Sequence, residues 1–162
     1  MKLTLTKGTG TGRTMLSSFD AALWDCGVSN YNLIFLSSII PAHAQIVRER
    51  YITPEDEYGW RLYAVRAEIR SEVEGEYIGA GIGWCQGRDG RGLFVEHESK
   101  GENAKEVERV LRHDITRSLS DLRAVRGHTY TASSLEMELN VASVRGGPTC
   151  VIVLAVYASE PW

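Results

Sequence analysis

Two adjacent serines, Ser37 and Ser38, stand inside the apolar run Asn32-Leu33-Ile34-Phe35-Leu36-Ser37-Ser38-Ile39-Ile40-Pro41. Apolar β-formers closed by a proline read as one short buried strand. Two hydroxyls there need partners, because an unpaired buried hydroxyl costs about 1 to 3 kcal/mol, and neighbouring backbone is their commonest partner. A second cluster of chemistry lies in Leu93-Phe94-Val95-Glu96-His97-Glu98, whose alternation sets Phe94, Glu96 and Glu98 on one face and Leu93, Val95 and His97 on the other. Two carboxylates on one strand face disfavour each other's ionisation. His43, His97, His113 and His128 have no ligand-like spacing with one another or with the cysteines, so no metal site is expected. No Gly-x-Ser-x-Gly nucleophile elbow is present. Gly8-x-Gly10-x-Gly12 and Gly79-x-Gly81-x-Gly83 lack the spacing of a dinucleotide loop. The first run reads as a surface turn, the second as a strand closely approached by a neighbouring element.

These residues require elements to hold them. Lys2 to Thr6 alternates as a strand does, and the glycines after it read as a loop. Met15, Phe19, Ala22, Leu23 and Cys26 fall at helical spacing, with Thr14 or Ser17 as cap and Gly27 as terminator. That helix carries Asp20 near its start. Residues 41 to 54 read as a connecting strand and loop. Val65, Ala67 and Ile69 alternate with Arg66, Glu68 and Arg70, giving a strand with one core face and one face toward water or another chain. Further strands are expected over 76–85 and 92–98. From Asn103 to Val125 the apolar positions repeat at three or four, a long amphipathic helix that Gly127 ends. Strands over 129–139 and 150–158 close the chain, the latter apolar enough to be central. Two helices among many strands favour an α/β or α+β sandwich over a doubly wound fold.

Composition narrows the function classes. A chain of 162 residues fits one domain that buries roughly 70% of its unfolded surface. A net charge of −3 gives no basis for a nucleic-acid surface. No run is long and apolar enough to span a membrane, and three distant cysteines, Cys26, Cys85 and Cys150, fit a reducing compartment. A cytoplasmic protein is expected.

Phe19-Asp20-x-Ala22-Leu23, Gly27-Val28-x-Asn30-x-Asn32-Leu33-Ile34, Leu36-Ser37-Ser38-Ile39-Ile40-Pro41 and Ile46-Val47 together resemble the pyruvoyl-dependent arginine decarboxylases. The resemblance is densest over 19–47, and 92–98 matches the family's Leu-x-x-Glu-x-Glu strand, with Ser99 where family members carry glycine. It implies a four-layer αββα sandwich and a homotrimer, or a multiple of trimers, with active sites at the interfaces. It also implies a single domain, 1–162, that cuts itself between Ser37 and Ser38.

In that chemistry the Ser38 hydroxyl attacks the Ser37 carbonyl, and Ser38 ends as a pyruvoyl group in place of pyridoxal phosphate, without a metal. Its ketone takes the substrate amine, and the adjoining amide carbonyl takes the charge left when carbon dioxide departs. A strained scissile amide and donors for its oxyanion are required, and Asn32 is a candidate donor. The resemblance makes Glu96 the proton donor to the α-carbon and Asp20 the carboxylate for the substrate guanidinium, where a planar cation favours bidentate bonds. The ordinary roles of these residues are a surface carboxylate paired with arginine for Glu96 and a helix N-terminal acid for Asp20.

The implied reaction converts arginine to agmatine and carbon dioxide, in the service of polyamine synthesis or of proton consumption in acid. Two other readings share these residues. One is a trimeric homologue that never matures and has a binding or structural role. The other is a pyruvoyl decarboxylase for another amino acid such as lysine. A denaturing gel with intact mass tests the central expectation. The purified protein should split into fragments of 37 and 125 residues, and Ser38→Ala should stay whole. Fragments from Ser38→Ala would rule out attack by that hydroxyl.

Overall fold

Glycine placed at every second residue of two strands sets how this chain layers. The computed structural model describes residues 1–126 and 134–162. In it β1 (Lys2–Thr11) carries Gly8 and Gly10 beneath α1 (Met15–Cys26), and β6 (Tyr77–Gln86) carries Gly79, Gly81 and Gly83 beneath α2 (Ala104–Arg126). A Cβ at Gly10 would collide with the backbone of Ala22, and one at Gly83 with the Ile115 side chain. Without those methyl groups each helix axis comes close to its sheet. The first glycine run is therefore not a surface turn, because the strand continues through it to Thr11. The second run behaves as expected from the sequence.

The remaining strands are β2 (Asn32–Phe35), β3 (Ile39–Ile40), β4 (Gln45–Arg48), β5 (Arg61–Ser71), β7 (Gly92–Gly101), β8 (Glu136–Ser143) and β9 (Thr149–Glu160). They form a five-stranded sheet in the order β2-β5-β9-β1-β4 and a four-stranded sheet in the order β3-β7-β6-β8. β9 is central, as its near-continuous apolar sequence requires. The sheets face each other across Leu3, Leu5, Val65, Ala67, Val151 and Val153 from one and Ile78, Ile82, Trp84 and Phe94 from the other. Ala22, Leu23 and Cys26 of α1 pack on the outer face of the first sheet, and Ile115 and Leu119 of α2 on that of the second. The result is an α+β sandwich of two sheets, each covered by a helix.

Both helices follow their sequence signals. Thr14 caps α1 in a reciprocal pair with Ser17, and Gly27 ends it at φ 83°. Neither helix is long and apolar enough to cross a membrane. Gly127, His128 and the first part of the strand expected over 129–139 lie outside the described residues.

The run from Asn32 to Pro41 is not one buried strand. β2 pairs in parallel with β5 in the first sheet, and β3 pairs antiparallel with β7 in the second. Leu36, Ser37 and Ser38 are the crossover, with Ser37 exposed and Ser38 half-buried.

Candidate active site at the sheet crossover

Changing sheets within three residues forces an unusual backbone at Ser38. Its φ is 41°, in the left-handed region that costs a residue with a Cβ about 1 to 2 kcal/mol. The conformation is held from the C-terminal side, where Phe94 N–H of β7 donates to the Ser38 carbonyl at 2.8 Å and β3 then pairs Ile39 with Leu93. On the N-terminal side Leu36 N–H donates to the Ala64 carbonyl of β5 at 3.0 Å. The peptide bond between Ser37 and Ser38 thus lies between two anchored ends.

The hydroxyl of Ser38 donates to a carboxylate oxygen of Glu96 on β7. Ser37, Ser38 and Glu96 line one cavity of about 340 Å³, together with Val95, His97 and, from α2, Ser118, Leu122 and Arg126. Burial holds the Glu96 carboxyl above its ordinary range. The Ser38 hydroxyl works against that shift, and the charge of Glu98 adds to it. Glu98 is itself held by the backbone N–H of Glu68 at 3.2 Å. That N–H points from a stretch of β5 that β2 does not cover, so a carboxylate of one sheet caps an open edge of the other.

Sequence reasoning named these carboxylates but not the groups around them. His97 bonds Ser118 of α2 at 2.8 Å across the opposite face of β7, an ordinary-looking pair that no motif marks. The Phe94 amide is a backbone donor, which no side-chain pattern reveals. Two predicted site residues stand apart from this cavity. The Asn32 side-chain amide donates to the Gly59 carbonyl at 2.6 Å. Asp20 is exposed on α1, next to Phe19, whose ring lies under the Arg70 guanidinium at 4.1 Å, and it has no ion pair among the described residues.

Comparison with known proteins decides the family. The model of the family described as pyruvoyl-dependent arginine decarboxylase (PvlArgDC) matches residues 2–161. The chain belongs to the pyruvoyl-dependent arginine decarboxylase family. Among its relatives, the pyruvoyl-dependent arginine decarboxylase of Thermoplasma volcanium is 39% identical over 102 residues, which cover 62% of this chain and 56% of that protein. The protein of the same name from Methanocaldococcus jannaschii is 37% identical over 112 residues, 68% of this chain and 65% of the relative. That from Thermococcus kodakarensis is 29% identical over 149 residues, 92% of this chain and 91% of the relative. The chain thus spans less than two thirds of the length of the first two.

The raised carboxyl of Glu96 has a consequence for stability that can be measured apart from any catalysis. A carboxyl raised in the folded state contributes stability that is fully present below its ordinary value of 4.5 and is lost as pH rises through its folded value. Glutamine, uncharged at every pH, escapes that loss. Comparison is cleanest in the Ser38→Ala background, which also removes the hydroxyl that favours the charged form. There Glu96→Gln should raise the denaturant midpoint near neutral pH, with the advantage vanishing below about pH 4.5. A constant difference across the whole pH range would contradict burial as the cause.

Proposed function

We propose that residues 1–162 act as one self-processing domain, cut between Ser37 and Ser38, that decarboxylates L-arginine to agmatine. The observation that carries this reading is the hydrogen bond from the Ser38 hydroxyl to Glu96, made at a left-handed serine in the crossover between sheets. A nucleophile, an acceptor for its proton and a strained backbone stand together in a member of this family.

In the cut, Ser38 Oγ attacks the Ser37 carbonyl carbon. The new C–O bond forms, the C–N bond between the residues breaks, and the hydroxyl proton passes through Glu96 to the departing amine. Asn32 is assigned as donor to the Ser37 oxyanion, a role in which its amide exchanges the Gly59 carbonyl for that of Ser37. Loss of the Ser38 α-proton then breaks the Cβ–Oγ bond, releasing the Ser37 carboxylate and leaving dehydroalanine. Water adds and ammonia leaves.

The resulting pyruvoyl group supplies a ketone for the substrate amine and a conjugated carbonyl that accepts the electron pair freed with carbon dioxide. That carbonyl descends from Ser38, and the Phe94 N–H already donates to it at 2.8 Å. The half-buried Glu96, with its raised proton affinity, returns a proton to the α-carbon. Asp20 binds the guanidinium. Since Asp20 does not line the Ser38 cavity of its own chain, the reading places it at the cavity of a neighbouring copy, in a homotrimer or a multiple of one.

Carbon dioxide release from Glu96→Gln, from Asp20→Ala and from the two chains co-expressed tests these assignments together. Glu96→Gln should cut slowly and lose most turnover once cut. Asp20→Ala should bind arginine more weakly by about 1.5 to 3 kcal/mol, the value of a charged hydrogen bond. Mixed assemblies should recover activity, because some interfaces join an intact Asp20 to an intact Glu96. Near-parental turnover by either variant refutes its assignment. A mixture no more active than its parts refutes the shared site.

A further inference from the structure

Cutting at Ser37-Ser38 creates a mechanical difficulty on its C-terminal side. There the reactive group ends the chain, and along β7 it is secured by the Phe94 amide and the two-residue strand β3. So short a pairing is a weak tether, while catalysis loses rate steeply when a reacting group drifts. A second tether comes from the other sheet. Tyr157 of β9 donates its phenol O–H to the Ile39 carbonyl at 2.8 Å, and its ring meets Phe94 edge-on at 6.3 Å between centroids. Consecutive carbonyls are thereby gripped from two sheets, Ser38 by the Phe94 amide and Ile39 by Tyr157.

The backbone around Tyr157 is shaped for this contact. β9 pairs Val156 with Ala64 and Ala158 with Tyr63, so Tyr157 is an extra residue, a bulge in an otherwise regular pairing with β5. Bulges re-aim a side chain and increase local twist, at a cost in ladder hydrogen bonding. Burial, with the neighbouring Glu96 charge, pushes the phenol up, which keeps it a donor. Tyr157 itself does not line the Ser38 cavity but touches Ile39 and Phe94, which do.

We propose that Tyr157 is a positioning residue. Its hydroxyl fixes Ile39 and so holds residue 38 in register with Glu96 and the Phe94 amide, both while the chain is cut and afterwards. The proposal rests on the self-processing reading above and adds a residue to it.

Tyr157→Phe removes the hydroxyl and keeps the ring on Phe94, while Tyr157→Leu removes both. The time course of cutting in freshly refolded chain, the melting temperature, and kcat and KM for arginine in the cut fraction are measured for parent and variants. Tyr157→Phe should melt as the parent does, cut about tenfold more slowly, and show a lowered kcat with an unchanged KM. Tyr157→Leu should melt lower and cut no faster than Tyr157→Phe. Parental cutting and kcat in Tyr157→Phe, with losses confined to Tyr157→Leu, would make Tyr157 a packing residue and overturn the proposal alone. A raised KM at parental kcat would overturn it too, by making the hydroxyl a substrate contact. A parent that never cuts would overturn the self-processing reading and this inference with it.

Discussion

Between Phe35 and Ile39 the chain leaves one sheet and joins the other, and only Leu36, Ser37 and Ser38 are available for the passage. Backbone amides on both sides are committed to their own sheets, so the strain of the turn collects at Ser38, which takes a left-handed conformation. A glycine would adopt it without penalty. A serine there carries the cost and also a hydroxyl aimed at Glu96. The cut proposed at this bond would release the strain while each new end stays paired with its own sheet. This gives a physical reason for the site to sit at the crossover and not within a regular strand.

The acid beside the serine depends on the same edge of the sandwich. Phe94 continues from the core between the sheets, and Glu96, two residues on along β7, is the first carboxylate beyond the fully buried residues. Its partial burial makes the charged form costly, and Glu98, pinned by Glu68 N–H, adds like charge. In the proposed reaction this one carboxyl accepts a proton from the neighbouring hydroxyl and holds one for later delivery. The glycines beneath both helices serve this arrangement indirectly. They let α1 and α2 close the outer faces, and the proposed chemistry lies at the edge where β5 and β7 lose their partner strands.

Much of this was legible in the residues, for specific reasons. The Thr14 cap, the Gly27 terminator and apolar spacing delimit α1, and a three-to-four repeat delimits α2, because local hydrogen bonding and one-sided burial fix both. Alternation at 92–98 put Glu96 on the face where it meets Ser38. The glycines of β1 read as a loop in sequence because period-two glycine removes the side chains by which a strand is recognised. The crossover was hidden for the opposite reason: its flanks are uniformly apolar, and nothing in them marks a change of sheet. Tyr157 and the Phe94 amide act through long-range pairing and a bulge, which leave no local signature. Asp20, singled out by family resemblance, stands outside the Ser38 cavity of its own chain, because a match in sequence carries no information on distance in space.

Intact mass of the large fragment bears most directly on the claim that Ser38 attacks its own peptide bond. Self-processing of the kind described leaves a fragment starting at residue 38 that is lighter by one ammonia than the same fragment with an ordinary serine terminus, and blocked to stepwise degradation. The account predicts that mass from protein purified without added protease. A fragment with a free Ser38 amine would mean that the bond is hydrolysed without elimination and no pyruvoyl group forms, and a single chain of unchanged mass would mean that the strained serine and its carboxylate perform no cut at all.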